Sequence, residues 1–400
     1  MANVLSEANL PATTNPSDLP DGECPWHRYQ RAGHDSWAFT LGPSMVVRGH
    51  EEARAVLNDR RFVQGITKAM EDTPGTDPRF IERRKQGFLL RDGADHRRMR
   101  AIASKAFTPR AADRFRPVMR EVMNALADNV PADGRCDAVQ TLTHAYPTTV
   151  ICAVLGAPTA DVELFSELTE TILNAQAGSP EHLDQALAAH EQLDEYLLRL
   201  IAERERAPKE DLLSDLIRAE TEEGKLTREE VLSAAASVIM AGTDTTRNQL
   251  AIALHLLADH PDHWAALLDE GRLESTVEEV LRFAPIGHVL LRVPTEDVDL
   301  HDVTIPTGTM VILDIGGANR DPQLLDGPDD FDPARTTRAQ HLGFGHGHKF
   351  CLGANLARAE LVEALRVLRS RFPTVEHSGP TQWRRVGFVQ GPVALPLRFR

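Results

Sequence analysis

Cysteine is scarce in this sequence, which has only four in 400 residues, at Cys24, Cys136, Cys152 and Cys351. Cysteines so few and so scattered do not form the disulfide framework of a small secreted domain. We therefore expect a protein of the reducing cytoplasm whose thiols are free. At least one thiol is then available as a thiolate ligand of a metal or cofactor.

Long apolar runs are also missing. No segment offers the roughly 20 consecutive apolar residues that a membrane-spanning helix requires. Residues 1–20 are polar and contain prolines, with neither the basic start nor the apolar middle of a signal peptide. We expect one domain over residues 1–400, with residues 1–20 as a polar, flexible leader, and no membrane partner.

Positive charge is in deficit, because 44 Lys and Arg face 59 Asp and Glu, giving a formal net charge of −15. This balance argues against a nucleic-acid partner, which requires a basic surface. The segment Arg91–Arg120 departs from it, with nine basic residues against three Asp. We call this segment the basic island. It indicates an acidic partner or an anionic cofactor group, and a solvated helix face is the alternative.

Hydrophobic periodicity predicts several helices. Apolar residues recur at intervals of three and four within Arg110–Val130 and again within Leu183–Leu200, the pattern of an amphipathic helix. A shorter helix is predicted at His50–Leu57.

Strand signals are fewer. A hairpin is predicted from Trp37–Leu41 and Ser44–Val47, which flank a Gly-Pro turn. Short apolar runs broken by turn residues return only at His288–Leu313. The predicted class is therefore mainly α with a minor β component.

A long helix is predicted in the centre of the chain. Thr227 followed three residues later by Glu230 has the pattern of a capping box, and Asp259-His260-Pro261 ends the helical pattern. In its middle lies Ala241-Gly242-Thr243-Asp244-Thr245-Thr246, whose glycine and threonines lower helix propensity. Small side chains there leave space for a ligand, and an adjacent acid and alcohol can pass protons. A close helix–helix contact is the alternative.

The motif Glu279-Val-Leu-Arg282 lies in another predicted helix, which begins near Leu273 and ends before Pro285. A spacing of three places both side chains on one face, where they can pair. From the residues alone we expect a solvated pair that contributes little stability.

The segment His341–Arg358 carries the strongest chemical signal. Its glycine-rich first half favours a tight loop whose backbone can approach a ligand closely. Cys351 follows at the entry to a helix that runs towards Phe372. Backbone amides and the helix dipole at that position are expected to lower the thiol pKa and to yield a thiolate.

Two other interpretations of this cysteine are open. His341, His346, His348 and Cys351 could hold zinc, although a second cysteine pair is missing and the glycines match no common zinc spacing. A nucleophilic cysteine with a histidine base is the second alternative, and its base cannot be assigned from the sequence.

Three motifs together resemble those of the cytochrome P450 family. Phe344-x-x-Gly347-x-x-x-Cys351-x-Gly353 is similar to the haem-binding loop, Ala241-Gly242-x-Asp244-Thr245 to the oxygen-activating helix motif, and Glu279-x-x-Arg282 to the structural Glu/Arg pair. They occur in the family order, and the resemblance extends from Trp37 to Arg400. It implies a mainly α fold with small β-sheets, a triangular-prism helical bundle that encloses haem.

The resemblance also implies roles for single residues. Cys351 becomes the axial ligand of the haem iron, and a histidine, two arginines and Lys349 bind the haem propionates. Lys349 stands where the family usually has His or Arg, and it lacks the fork geometry of arginine. Arg335 is expected to join Glu279 and Arg282 in a buried structural network. The implied cofactor-binding residues are His96, Arg100, Ala241, Gly242, Arg292, Phe344, Lys349, Phe350, Cys351 and Gly353.

The implied activity is that of a haem-dependent monooxygenase, which inserts one oxygen atom of O2 into a hydrophobic small molecule such as a terpenoid, polyketide, fatty acid or aromatic. Haem b is the implied cofactor, and Asp244 and Thr245 are the implied catalytic residues. No flavin or nucleotide-binding fingerprint is evident. Electrons are therefore expected from a separate ferredoxin or flavodoxin with its reductase, and from NAD(P)H only indirectly. Arg97 and Arg98 are the predicted docking residues.

Three alternatives to this activity are weighed against it: a peroxide-driven peroxygenase, a haem-binding protein without turnover, and a structural helical protein without cofactor. The acid–alcohol pair argues against the first two, and the cysteine loop argues against the third. For the monooxygenase, the segments implied to line the substrate pocket are Phe62–Leu90, Leu164–Pro180, Ser237–Ala241, Ile286–Leu291 and Phe388–Val389.

Overall fold

The computed structural model describes residues 3–4, 36–175, 180–221, 225–335, 340–384 and 389–400. Helices dominate this part of the chain, as the hydrophobic periodicity predicts. They are α1 (His50–Asn58), α2 (Ile66–Asp72), α3 (Pro78–Lys85), α4 (Gly93–Ala103), α5 (Pro109–Ala127), α6 (Ala145–Leu155), α7 (Val162–Asn174), α8 (Pro180–Arg206), α9 (Leu212–Thr221), α10 (Arg228–Asp259), α11 (Pro261–Ala266), α12 (Glu270–Phe283), α13 (Ile315–Ala318) and α14 (Ala354–Arg371).

The strands are short and lie mostly at the two ends of the chain and between α12 and α13. They are β1 (Asn3–Val4), β2 (Ala38–Leu41), β3 (Ser44–Val47), β4 (Phe62–Gln64), β5 (Arg135–Asp137), β6 (Val289–Pro294), β7 (Val298–Leu300), β8 (Val303–Ile305), β9 (Val311–Asp314), β10 (Val375–His377), β11 (Gln382–Trp383), β12 (Pro392–Ala394) and β13 (Pro396–Phe399).

The largest sheet of the described chain has the strand order β2-β3-β9-β6-β4. The predicted hairpin is confirmed: β2 pairs with β3 in antiparallel register, Ala38 opposite Val47. The pairing of β3 with β9 is parallel, whereas β6 is antiparallel to both β9 and β4. This sheet brings Gln64 of β4 opposite Arg292 of β6, which is important for the site described below.

The predicted central helix is confirmed as α10. The Thr227 side chain accepts a hydrogen bond from the Glu230 amide, and the Glu230 carboxylate accepts one from the Thr227 amide, so the capping box is complete. The helix ends at Asp259, before Pro261. Residues on nearly all its faces are buried, as expected for a helix that runs through the core of a domain.

The main apolar core surrounds α10. Leu250 and Leu254 of this helix are fully buried in one cluster with Val150 of α6 and Leu361 and Leu365 of α14. Burying each such side chain contributes roughly 1.5–3 kcal/mol relative to exposing it, so the core fixes the position of α10. Among the described residues, no helix combines the length and the apolar character needed to cross a membrane.

The other helix predictions are also confirmed. The segment Arg110–Val130 corresponds to α5, whose start is set by the Thr108 side chain, which accepts a hydrogen bond from the Ala111 amide. The segment Leu183–Leu200 lies within the longer α8. The region His288–Leu313 forms the strands β6 to β9.

The expectation of a solvated Glu279–Arg282 pair is wrong. Glu279 is 6% exposed and Arg282 4% exposed, and two hydrogen bonds of 2.8 and 2.7 Å join the guanidinium to the carboxylate. Arg335 approaches the same carboxylate, with its Nε 3.8 Å from a Glu279 oxygen, so the network implied by the family resemblance is present. The segment from Asn319 to Arg335 covers the pair and removes it from water.

Candidate functional site

A cavity of about 330 Å³ lies between the middle of α10 and residues 341–353, which we call the cysteine loop. Its volume falls in the range of small-molecule binding pockets. All ten residues implied to bind the cofactor line this cavity, and Thr245 lines it as well. The cavity thus gathers side chains that are up to about 250 positions apart in the sequence.

The implied substrate segments contribute unequally to the lining. Phe88 and Leu89, Ser237 and Val238, and Ile286 and Leu290 all lie on its walls. The described residues of Leu164–Pro180 do not line it, nor does Val389. Phe388 and residues 176–179 lie outside the described residues.

The cysteine loop is tightly turned where the sequence has glycine. Gly345 and Gly347 adopt φ of 69° and 67°, a left-handed conformation that other residues rarely adopt. A Cβ added to Gly347 would lie 2.6 Å from the carbonyl oxygen of Leu57 in α1, so this glycine also permits close packing. The loop closes through a 2.9 Å hydrogen bond from the Cys351 amide to the Phe344 carbonyl.

The Cys351 side chain faces the cavity, and its accessible surface belongs to the cavity wall because protein surrounds it on the other sides. Burial raises the pKa of its thiol, although a hydrogen bond from the Gly353 amide and the charges of Arg100 and Arg358 act in the opposite direction. The predicted net lowering is therefore wrong for the protein alone. The helix α14 begins only at Ala354, so its dipole acts from three residues away. Coordination to a metal ion deprotonates a thiol whatever its intrinsic pKa.

Cationic side chains surround one edge of the cavity. Arg292 is 2% exposed, and its guanidinium donates to the Gln64 side-chain oxygen at 3.0 Å and to the Leu291 carbonyl at 2.8 Å. Burial lowers the pKa of Arg292 to about 10. Arg100 donates to the Phe350 carbonyl at 2.6 Å, and burial lowers its pKa too. Neither arginine forms an ion pair with a carboxylate of the described chain.

Lys349 and His96 are the other basic side chains at this edge of the cavity. Lys349 Nζ lies 3.0 Å from Asp92 Oδ1 and also donates to the Arg91 carbonyl. Burial lowers the pKa of His96 to about 4, and the charges of Lys349 and Arg100 add to the effect, so the imidazole is neutral near pH 7. We call His96, Arg100, Arg292 and Lys349 the cation group, to which His96 belongs by position and as a neutral imidazole. Buried charges without partners are costly, so Arg100 and Arg292 indicate an anionic ligand.

The middle of α10 forms the wall opposite the cysteine loop. Thr245 Oγ1 donates a 2.6 Å hydrogen bond to the Ala241 carbonyl one turn earlier, as the sequence allows. A Cβ on Gly242 would lie 2.8 Å from Cγ1 of Ile151 in α6. The two interpretations of the Ala-Gly-Thr segment therefore both apply, because Gly242 lines the cavity and also permits a close helix–helix contact.

Asp244 and Thr245 are adjacent in sequence but separated in space. The Asp244 carboxylate is buried on the face of α10 that is turned away from the cavity. It pairs with Arg247 and lies 3.2 Å from Arg384 Nη1, and Asn248 donates to it at 3.0 Å. The structure thus brings Thr245 to the cavity and holds Asp244 in an internal ion-pair network.

Aromatic residues support the loop around the cysteine. The rings of Phe344 and Phe350 meet edge to face with centroids 6.3 Å apart. The Arg358 guanidinium stacks over Phe344 at 4.6 Å and forms an ion pair with Glu278 at 2.6 Å. These contacts hold the loop in place beside the cavity.

Two polar groups of the cavity were not predicted from the sequence. Glu360 of α14 is 2% exposed and lines the cavity. Burial raises the pKa of its carboxyl to about 8, although a side-chain hydrogen bond with Thr246 acts in the opposite direction. Gln249 of α10 links α10 to the segment before β6, donating to the Ala284 carbonyl at 3.0 Å and accepting from the Ile286 amide at 3.1 Å. Helical spacing could have found both, since Glu360 lies seven residues after Gly353 and Gln249 lies four after Thr245.

Part of the basic island is neutralised within the protein. Arg98 donates two hydrogen bonds of 2.7 and 2.5 Å to the Glu230 carboxylate, and Arg116 and Arg120 both pair with Glu363. Arg97, by contrast, is exposed. The two arginines predicted to dock a partner therefore differ, because Arg98 is paired with Glu230 and Asp95, whereas no carboxylate of the described residues pairs with Arg97.

The chain is similar to known proteins over most of its length. A sequence profile described as cytochrome P450 matches residues 33–381, which is most of the chain. The chain belongs to the cytochrome P450 family. Curated cytochrome P450 relatives include nocardicin C N-oxygenase of Nocardia uniformis, 36% identical over 95% of either chain. Mycinamicin IV hydroxylase/epoxidase of Micromonospora griseorubida is 37% identical over 91% of this chain and 90% of the relative.

Solved cytochrome P450 structures share the fold. The structure of CalO2 superposes with a TM-score of 0.88 at 28% identity, over 97% of this chain and 98% of the other. That of P450BioI in complex with an acyl carrier protein ligated to hexadec-9Z-enoic acid has a TM-score of 0.84 at 31% identity, over 94% and 98%. The fold implied by the resemblance is confirmed, and this cytochrome P450 is a haem-dependent monooxygenase.

The residues present fit the haem of a cytochrome P450. A thiol faces the cavity from one wall, and the cation group at its edge contains buried charges that carboxylates of the described chain leave largely unpaired. Haem combines an iron that accepts a thiolate with two carboxylates. The donor set and the charge distribution of the cavity therefore match this cofactor, and monooxygenation requires a redox partner in addition.

Proposed function

We propose that this chain binds haem b through Cys351 and hydroxylates, or oxidises in a related way, a hydrophobic small molecule. The observation that supports this most directly is the convergence of one thiol and four basic side chains on a single cavity. When bound, the haem iron supplies the activation of dioxygen, from which one oxygen atom enters the substrate. Cys351 donates electron density to that iron.

The cation group is proposed to hold the haem propionates. Arg292 and Arg100 present guanidinium donors, which bind carboxylates in a fixed geometry, and Lys349 adds a point charge. His96 contributes a ring N–H at the same edge. Phe344 and Phe350 pack beside the thiolate and limit its access to water, while Ala241, Gly242 and Gly353 leave room for the macrocycle.

Asp244 and Thr245 are proposed to provide protons, in different ways. Thr245 already lines the cavity, and its hydroxyl can donate there when it releases the Ala241 carbonyl. Asp244 can serve Thr245 only if its carboxylate leaves Arg247 and Arg384. Replacing Thr245 by Ala should divert electrons from product to peroxide, whereas Asp244→Asn should slow turnover more than it weakens substrate binding.

The substrate is proposed to be an apolar or amphipathic product of bacterial secondary metabolism. Phe88, Leu89, Val238, Ile286 and Leu290 provide apolar walls, and these favour a ligand with few charges. Relatives named for nocardicin C, mycinamicin IV and 6-deoxyerythronolide B support a small molecule of this kind.

Electrons are proposed to come from a ferredoxin or flavodoxin, reduced by a reductase at the expense of NAD(P)H in the cytoplasm. Arg97 is the better docking candidate, because Arg98 is committed to Glu230 and its reversal would disturb the capping box of α10. Arg97→Glu should lower the rate of electron transfer and flatten its dependence on salt. An unchanged rate and salt dependence would contradict docking at Arg97.

The experiment that tests the proposal is the absorption spectrum of the reduced, carbon-monoxide-bound protein. Thiolate ligation predicts a strongly red-shifted Soret band, which Cys351→His should replace by the band of a nitrogen-ligated haem. Cys136→Ser, a change at a half-buried thiol away from the cavity, is the matched control and should keep the red-shifted band. Folded, haem-supplied protein without any haem band would overturn the proposal.

A further inference from the structure

A cluster of two histidines and one carboxylate lies at the C-terminal end of α10, apart from the cavity. His255 and Asp259 stand one turn apart on α10, and His377 ends β10. One ligand atom from each residue can be chosen so that all three lie within 4.8 Å of one another. None of the three lines the cavity, so the cluster is independent of the haem site.

The distances between these atoms suit a small divalent cation. Asp259 Oδ1 lies 3.1 Å from His377 Nε2, and Asp259 Oδ2 lies 3.5 Å from His255 Nε2. Tetrahedral Zn²⁺ binds nitrogen and oxygen ligands at about 2.0–2.2 Å, which places neighbouring ligand atoms roughly 3.3–3.6 Å apart. These two distances run to different oxygens of the Asp259 carboxylate, and a set with one ligand atom from each residue lies within 4.8 Å. The side chains must therefore close by up to about 1.5 Å to surround such an ion.

His377 is oriented for a ligand rather than for a hydrogen bond. Its Nε2 is buried and makes no well-directed hydrogen bond with any described group, although the Asp259 carboxylate is only 3.1 Å away. A histidine that served only to pair with the carboxylate would direct its N–H at an oxygen. A metal ion between the two groups would satisfy both.

His255 has the supporting contacts that metal-bound histidines usually have. Its Nδ1 lies 3.1 Å from Thr381 Oγ1, and the Trp383 ring packs edge to face against the imidazole at 5.0 Å. When Nδ1 donates to that hydroxyl, the lone pair of Nε2 is directed towards Asp259. Such bonds to the second ring nitrogen orient the imidazole and raise its basicity as a ligand.

The position of Asp259 adds an electrostatic argument. It is the last residue of α10, where the partial negative charge of the helix end disfavours a carboxylate and favours a cation. Its side chain is about half exposed, which leaves access for a water molecule as the fourth ligand. Three protein ligands and one water are a common zinc environment.

We propose that His255, Asp259 and His377 form a Zn²⁺ site with water as the fourth ligand. The site links the end of α10 to β10 and, through Thr381 and Trp383, to β11. A bound ion therefore stabilises the junction between the central helix and the C-terminal strands.

The test is calorimetric titration of ZnCl2 into the haem-loaded full chain, free of any histidine tag and treated with a chelator. We expect one saturable site per chain. His377→Ala and Asp259→Asn should each weaken it at least 10-fold. His301→Ala is the matched control, because His301 also pairs with a carboxylate, Glu52 at 2.7 Å, but belongs to no such cluster among the described residues. An unchanged reduced carbon-monoxide spectrum establishes that each variant is folded and haem-loaded.

X-ray absorption at the zinc edge provides the second measurement. It should report only nitrogen and oxygen ligands, two of them imidazoles, at about 2.0–2.1 Å. Zinc bound through sulfur, the absence of a saturable site, or a site that persists in both variants would overturn the proposal. The three residues would then form an ion-pair network only, and the haem assignment would be unaffected.

Discussion

Two buried arginines of this molecule differ in how their charge is satisfied. Arg282 donates two hydrogen bonds to the Glu279 carboxylate, and three backbone carbonyls accept its remaining donors. Arg292 is buried to a similar extent but, among the described residues, donates only to the Gln64 amide oxygen and to one backbone carbonyl. All donors of Arg282 are thus satisfied within the protein, whereas no carboxylate of the described residues pairs with Arg292.

The difference separates a structural charge from a ligand-binding charge. Removing a guanidinium from water costs several kcal/mol, which an opposite charge and well-placed hydrogen bonds can offset. Arg282 recovers this free energy on folding. Arg292 and Arg100 recover it only when an anion enters the cavity, so their contribution should appear in haem retention rather than in the stability of the cofactor-free chain.

The largest effect on stability is expected from removing the carboxylate that pairs with Arg282. Glu279→Gln keeps the shape of the side chain but leaves the charges of Arg282 and Arg335 without their carboxylate. We expect a loss of about 3–5 kcal/mol in the free energy of unfolding, the usual cost of an uncompensated buried charge. Chemical denaturation followed by circular dichroism measures it.

The control is an exposed pair with the same spacing. Asp215 and Arg218 are separated by three residues on α9, and both side chains are about 50% exposed. Asp215→Asn should change the free energy of unfolding by less than about 1 kcal/mol. Equal losses in the two variants would mean that burial of the Glu279 pair has no energetic consequence.

The second largest effect is expected in the pH dependence of the stability of the cofactor-free protein, to which His96 contributes. Burial and the nearby charges hold the pKa of His96 at about 4 in the folded chain, against an ordinary value of 6.5. Between these values the unfolded chain binds more protons, so the stability of the cofactor-free protein should fall as pH decreases from 6.5 to 4, by at most about 3 kcal/mol. Urea denaturation across this pH range measures the loss.

Two further measurements test whether His96 causes this pH dependence of stability. His96→Gln should remove most of the slope between pH 6.5 and 4, because glutamine does not titrate. Haem-loaded protein should also have a shallower slope, since an anion beside His96 favours its protonated form. A slope that survives in His96→Gln would assign the acid sensitivity to another group.

Local patterns in the sequence predicted the elements of this fold well. The apolar period located α5 and α8, and the Thr227–Glu230 capping box located the start of α10, because both signals depend on residues within one or two turns. The glycine-rich segment before Cys351 likewise predicted a tight loop. The ten implied cofactor-binding residues came from the family resemblance, and tertiary structure brings them to one cavity.

What could not be predicted depends on partners distant in sequence. The Glu279–Arg282 pair is buried because a segment some 40 to 50 residues later covers it. The ion-pair network that holds Asp244 includes Arg384, 140 residues later, in addition to the nearby Arg247. The pKa of the Cys351 thiol could not be predicted locally either, because it depends on burial by the whole domain more than on the nearby helix start.

A moderate effect is expected from removing the incompletely paired arginine. Arg292→Leu should accelerate haem dissociation roughly 10-fold, since a charge-assisted hydrogen bond contributes about 1.5–3 kcal/mol. The free energy of unfolding of the cofactor-free chain should change by no more than about 1 kcal/mol, because a desolvated charge is removed together with its two hydrogen bonds. Transfer of haem to an acceptor globin measures the dissociation rate.

Arg61→Leu is the control for Arg292→Leu. Arg61 lies next to β4 at the surface, where it pairs with Asp59, so the same charge is removed from outside the cavity. Its haem dissociation rate should equal that of the unchanged protein. If Arg292→Leu instead destabilises the cofactor-free chain as strongly as Glu279→Gln, the distinction between the two arginines is wrong.

The smallest effect is expected at Lys349, which is intermediate between the two arginines. Its ammonium already has an internal partner, Asp92 at 3.0 Å, so only part of its charge is available to a propionate. Lys349→Arg adds donors in a fixed fork and should slow haem dissociation by no more than about threefold, less than 1 kcal/mol. Asp92→Asn, which removes the internal partner, should slow it by a similar factor. A faster loss of haem in Asp92→Asn would show that Asp92 positions Lys349 for the propionate instead of competing with the propionate for Lys349. The Lys349–Asp92 pair would then be structural, like the Arg282–Glu279 pair.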